Sequence, residues 1–165
     1  MDKRVLIIMI GVPGSGKSTI ANQISNSYDI PVVSSDRVRF HLYGSELIQG
    51  DYNEVFDEVY RQINEQIEHG ICIYDATNTK RKWRYNAIAK TLPSEVVYVI
   101  VNPGLKKALY QNKNRERHCP EYVIQRMYRQ LISEYPKENE YHNLKIFTSK
   151  QELIDYLEEC KNNDF

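Results

Sequence analysis

The chain has 165 residues, 41% hydrophobic and 27% charged, with 22 basic and 22 acidic side chains. That length can bury roughly 70% of its unfolded surface in one core, so a single domain over residues 1–165 is expected. Its three cysteines, Cys72, Cys119 and Cys160, have neither an even count nor a CxxC spacing, which excludes a disulfide framework and a zinc site and points to the reducing cytosol.

In chain order, Val5 to Ile10 is a short, β-branched apolar run that reads as a buried strand. Lys3 and Arg4 ahead of Val5 to Val12 also resemble the start of a secretory leader, but cleavage there would cut into the motif that follows. No apolar run approaches the ~20 residues of a membrane span. A mature, soluble chain without membrane contact is therefore expected.

The motif is Gly11-Val12-Pro13-Gly14-Ser15-Gly16-Lys17-Ser18-Thr19, which fits GxxxxGK[ST] between a strand and a helix. The glycines let the backbone curl so that successive N–H groups face a polyphosphate, with a helix N-terminus pointing at the same anion. Gly11, Pro13, Gly14, Ser15, Gly16, Lys17, Ser18 and Thr19 are thus candidate ATP-binding residues. Lys17 would reach the β and γ phosphates, and the Ser18 hydroxyl would join the Mg²⁺ shell. A merely flexible turn would need neither Lys nor Ser.

A helix is expected over Ser18 to Tyr28, then a strand over Pro31 to Ser34 and a helix over Asp36 to Tyr43. Asp36 and Arg39 share one face of that helix, three positions apart. Asp36 is either a base for an attacking hydroxyl, with Arg39 holding an acceptor phosphate, or an N-cap with an ion pair. In the next helix, Asp51 to His69, the spacing of Tyr52, Val55, Phe56, Val59, Ile63 and Ile67 predicts one buried stripe.

Ile71 to Tyr74 reads as a strand ended by Asp75, a carboxylate placed to hold Mg²⁺ or to accept a loop hydrogen bond. Helix Lys80 to Lys90, strand Val96 to Val101 and helix Gly104 to Asn114 follow. A basic segment at about 112–120 reads either as a lid supplying an arginine to a transferring phosphoryl group or as a solvated loop. Helix Pro120 to Tyr135, a polar connection at Tyr135 to Tyr141, strand Leu144 to Phe147 and helix Lys150 to Cys160 complete the chain. Asp51 with Glu54 and Ser149 with Glu152 have capping-box spacing. Strand alternating with helix predicts an α/β/α sandwich with a parallel sheet of about five strands and a helical lid, the kinase type of phosphate-loop fold.

Charge is unevenly spread, since residues 80–130 carry twelve Lys and Arg against three Glu, a net +9, and the remainder carries −9. Such a basic half suits a polyanion or solvated helix faces.

Taken together, these blocks resemble the kinase domain of phage-type polynucleotide 5'-hydroxyl kinases and their relatives. The resemblance runs over about Val5 to Tyr135 and is carried by Gly11 to Thr19; Ser35-Asp36-Arg37-Val38-Arg39; Asp75-Ala76-Thr77-Asn78 with Arg84; and Arg115 with Pro120 to Leu131. It implies that Asp36 activates the 5'-hydroxyl, that Arg39 binds the acceptor strand's phosphate, and that the lid residue Arg115 contacts the donor phosphates. It also implies ATP as donor, Mg²⁺ as cofactor and 5'-hydroxyl nucleic acid as acceptor partner. Relatives include kinases of nucleosides, nucleotides and other small hydroxyl compounds, so a small-molecule acceptor is the alternative. A nucleotide-gated binding module without transfer is a third reading. The chain departs from the family at Gln111-Asn112, where relatives often carry Arg-Asn. Lys80, Arg81 and Arg84 are expected along the acceptor strand, with Trp83 as a stacking candidate.

Overall fold

The computed structural model describes residues 3–163; the outermost ends of the expected 1–165 unit lie outside them. Five strands, β1 (Val5–Ile10), β2 (Val32–Ser34), β3 (Ile71–Asp75), β4 (Glu95–Ile100) and β5 (Leu144–Phe147), form one sheet. Seven α-helices are described: α1 (Lys17–Tyr28), α2 (Ser35–Tyr43), α3 (Tyr52–Ile67), α4 (Arg81–Thr91), α5 (Leu105–Lys113), α6 (Glu121–Ser133) and α7 (Lys150–Asn162). Every strand pair is parallel, in the order β2-β3-β1-β4-β5, because helices carry the chain back between strands.

Central β1 pairs with β3 and β4 and is buried along its whole length. Its side chains alternate between two cores. Leu6, Ile8 and Ile10 join Tyr74, Val96 and Tyr98 against Val55, Val59, Ile63 and Ile67 of α3. On the other face Val5, Ile7 and Met9 meet Ala21 and Ile24 of α1 and Leu153 and Leu157 of α7. Fully burying each of these side chains contributes about 1.5–3 kcal/mol, so both helical layers are fixed to the sheet as expected. A smaller cluster, Val12 with Ala108 and Ile124, packs α5 and α6 on the phosphate loop.

Caps set the helix starts. Asp51 accepts from the Glu54 N–H at 2.9 Å and Ser149 from the Glu152 N–H at 3.2 Å, as their spacing predicts. Pro103 and Pro120 stand before the first helical residues rather than at them, with Pro120 as the N-cap of α6.

Two expectations are overturned. Tyr52 does not belong to the buried stripe of α3, because the stripe runs past the edge of the core in the first turn and leaves this ring 47% exposed. Arg84 does not face a bound strand. It is fully buried, pairs with Glu140 at 2.8 Å, and donates to the Asn78 carbonyl at 3.0 Å and the Glu134 carbonyl at 2.7 Å. The polar connection that supplies Glu140 is likewise no loose loop. It makes a 3-10 turn at Glu138–Glu140, in which Glu140 also accepts from the Tyr98 hydroxyl at 3.1 Å.

Candidate active site

Parallel strands bring their carboxyl ends to one edge, and the register aligns them there. Ser34 lies beside Asp75, and Asp75 beside Met9, the penultimate residue of β1. The phosphate loop, α2 and the loop after β3 therefore leave the sheet side by side. Backbone bonds fix their spacing. The Gly11 N–H donates to the Thr77 carbonyl at 3.0 Å, and the Asn78 amide donates to the Met9 carbonyl at 3.0 Å. Asn78 adopts a left-handed conformation at φ 49°, which Asn tolerates better than most residues.

The loop itself is built around left-handed glycines. Gly14, at φ 83°, approaches the α5 backbone so closely that a Cβ would sit 2.4 Å from the Ala108 carbonyl oxygen. Gly16, at φ 96°, caps α1 with nothing within 4 Å of where a Cβ would be, and no side chain caps this helix. The N-termini of α2, α3 and α7 are each covered by a side-chain oxygen, while those of α4, α5 and α6, like that of α1, have no side-chain cap. The 12-residue α1 thus presents its N-terminus and an open concavity to an anion.

Lys17 is buried, and burial pushes its ammonium below the usual lysine range. Asp75 and Asp36 oppose that shift, and Arg115 and Arg117 reinforce it. The charges of all four act on this one ammonium. Lys17, Asp36, Asp75 and Arg115 were each candidates from sequence, and Arg117 joins them in this electrostatic set.

Asp36 is not the cap of its helix. Ser34 takes that role, accepting from the Arg37 N–H at 3.4 Å, so the carboxylate of Asp36 is left for other contacts. Arg39 reaches Oδ1 at 3.4 Å, and Arg117 reaches Oδ2 at 2.9 Å. Arg117 also meets Glu46 Oε2 at 2.6 Å. Burial works against its charge, but these two carboxylates outweigh it and the guanidinium is held above its ordinary range. Arg115 is half-buried and shifted downward, first by burial and then by Arg117. Asn112 holds the lid's base, its amide both donating to the Cys119 carbonyl at 2.8 Å and accepting from the Cys119 N–H at 2.9 Å. Lys113, by contrast, only pairs with Glu121 at the surface.

Several buried polar atoms at this edge lack a hydrogen-bond partner: Ser15 Oγ, Asp75 Oδ1, Arg39 Nε and Arg115 Nε. Such atoms are costly unless a ligand meets them. Three donors or hydroxyls plus one carboxylate oxygen match a polyphosphate with its cation. No group of three or more His, Cys, Asp or Glu gathers as a metal cage among the described residues. Mg²⁺ ordinarily needs none, since one or two protein oxygens and the phosphates suffice. Ser18 and Asp75 fit that requirement.

Sequence reasoning did not single out Glu46 or Glu140, and it held Arg117 only as the fallback for Arg115. Glu46 and Glu140 are lone acids in loops, without any spacing signal.

Comparison with solved structures places the fold among kinases. One chain of the Pnkp1/Rnl/Hen1 RNA repair complex superposes with a TM-score of 0.69 at 19% identity, over 81% of this chain and 45% of that chain. The present chain thus spans less than half of that relative's length. A gluconokinase from Sinorhizobium meliloti 1021 gives 0.61 at 14% identity, over 94% and 90% of the two chains. Shikimate kinase from Bacteroides thetaiotaomicron gives 0.59 at 15%, over 93% and 98%. No curated protein matches the sequence. No described helix is long and apolar enough to cross a membrane. The profile of the AAA domain family matches residues 6–133, which include the phosphate loop, Asp36, Asp75 and the basic segment at 112–120, and the chain belongs to that family.

Proposed function

We propose that this chain is a kinase that transfers the γ-phosphoryl group of ATP to a 5'-hydroxyl of a nucleic acid. The observation that carries the reading is Asp36, a carboxylate freed from capping by Ser34, paired with Arg39, and within electrostatic reach of Lys17. In this reading Asp36 takes the acceptor hydroxyl's proton as its oxygen bonds to phosphorus and the bond to departing ADP breaks. Lys17 and Arg115 meet the negative charge on the transferring group, and Arg39 holds an acceptor phosphate through its unpartnered Nε. Mg²⁺, held by Ser18 and Asp75, would neutralise the donor phosphates. The remaining loop residues, Gly11, Pro13, Gly14, Ser15, Gly16 and Thr19, shape the cradle.

Asp36→Asn keeps size and polarity but cannot accept the proton. It is expected to lower kcat about 10²- to 10⁴-fold with ATP affinity nearly unchanged. Because Ser34 is the cap, no folding defect should accompany the loss. An unchanged kcat on an acceptor that the wild type phosphorylates would sink the assignment.

The gluconokinase and shikimate kinase likenesses, each over more than nine-tenths of this chain, favour a second reading in which the acceptor is a small alcohol. Radiolabelled ATP tested against 5'-hydroxyl oligonucleotides, nucleosides and small alcohols separates the two. For a strand acceptor, log KM should rise with log salt with a slope of about 0.7 per phosphate contacted, whereas an uncharged acceptor should show almost none. Transfer to a small alcohol but not to oligonucleotides at low salt replaces the first reading with the second.

A further inference from the structure

We infer that Tyr52 and Phe56 form a stacking platform for a nucleobase of an acceptor strand whose 5' end lies at Asp36. This rests on the nucleic-acid kinase reading above and adds to it a site for the base. The rings are joined to the reaction centre by a short chain of contacts. Arg39 meets Asp36 Oδ1 at 3.4 Å, and its guanidinium lies 5.7 Å from the centre of the Phe56 ring. Phe56 stands 4.5 Å from Tyr52, with the two planes 33° apart.

Tyr52 has the character of a binding ring rather than of a core ring left outside. It is 47% exposed, whereas Val55, Val59, Ile63 and Ile67 of the same stripe are fully buried and Phe56 is partly buried. Its conformation is nonetheless fixed, since Phe56 backs the ring, Tyr60 backs Phe56 at 6.2 Å, and the Tyr52 hydroxyl meets the Asn86 side chain. A fixed aromatic face loses little entropy when a base stacks on it.

Charge around the rings suits a phosphodiester chain. Arg39, with its unpartnered Nε, lies on the side of the reaction centre. On α4, Lys82 and Lys90 stand one helical turn before and after Asn86, the residue that the Tyr52 hydroxyl meets. Of the two acids at the start of α3, Asp51 is occupied as the cap and Glu54 lies in the first turn. Alternating cations and rings are what an unpaired strand needs, its phosphates meeting the one and its bases the other.

The test is binding of a fluorescent 5'-hydroxyl DNA ten-mer by anisotropy at 50 mM salt, run beside ATP binding. Tyr52→Ala is expected to weaken oligonucleotide binding roughly five- to a hundredfold with ATP affinity unchanged. Tyr52→Phe should bind like the wild type, and Tyr52→Leu, which keeps apolar bulk without a ring, like Tyr52→Ala. An abasic nucleotide placed in turn at the first three positions should weaken wild-type binding at one of them and leave Tyr52→Ala binding unaffected there. Equal Kd for Tyr52→Ala and wild type, or abasic losses of the same size in both, overturns the platform. Wild-type binding without transfer to the same ten-mer counts against the kinase reading and leaves the platform standing. No wild-type binding at all overturns both.

Discussion

Lys17→Ala is expected to reduce phosphoryl transfer by at least two orders of magnitude while the melting temperature stays within a few degrees. The side chain is buried, yet not in an apolar core. Its neighbours are Asp75, Asp36, Arg115 and Arg117, and the cost of burial already lowers its pKa. Removing it takes a positive charge from a cluster containing two arginines, so the folded state loses some repulsion along with the two attractions. The transition state has no such compensation. Losing one preorganised donor at a site of developing charge costs about 3 kcal/mol or more, or roughly 150-fold in rate. The fall should appear in kcat as well as in KM for ATP. Activity within a factor of ten of wild type would remove Lys17 from the proposed site.

The largest effect on stability is expected at Arg84 and Glu140. Arg84→Met and Glu140→Gln should each lower the unfolding free energy by about 3–5 kcal/mol in urea titrations, because each leaves the other charged group in a site closed to water. The double variant should recover part of the loss, since no buried charge is then left alone. Full additivity would show that the two act separately. Burial raises the pKa of Glu140, but bonds from Arg84, from the Lys137 N–H and from Tyr98 more than reverse this, so its folded value lies below the ordinary carboxylate range. The stability it contributes is therefore complete above that range and is lost as pH falls through the lower folded value. Glu140→Gln should flatten the acid side of the stability profile.

What was legible in the sequence was local. β1 declares itself through six consecutive apolar residues, the caps at Asp51 and Ser149 through three-residue spacing, and the phosphate loop through a contiguous motif. Asp36, Arg39 and Asp75 could be placed because each follows a recognisable strand end. Arg84 could not, since it stands in the run Lys80-Arg81-Lys82-Trp83-Arg84, which reads as a solvated basic face. The acid that draws it inward lies 56 positions away. Glu46 and Arg117 meet across 71 positions, again without a local trace. Tyr52 misled in the opposite direction, because helical periodicity continues beyond the point where the core ends. Ring and charge identities fix which face of a helix is special, but only the tertiary fold decides how far along the helix water is excluded.

The 56-residue separation of Arg84 and Glu140 also has a meaning in time. Synthesis delivers β1, α1, β3 and α4 well before Glu140 is translated. A nascent chain lacking it already has the residues to pair β1 with β3, but the guanidinium of Arg84 still holds its water, and its bond to the Asn78 carbonyl competes with solvent. Only when the 138–140 turn docks is that bond to the loop after β3 sealed from water. Ribosome-stalled chains with and without that turn outside the exit tunnel are therefore expected to share the β1–β3 pairing and to differ in how well the loop after β3 is protected from solvent, so the last part of this edge to close is the part whose sealing acid is synthesised last.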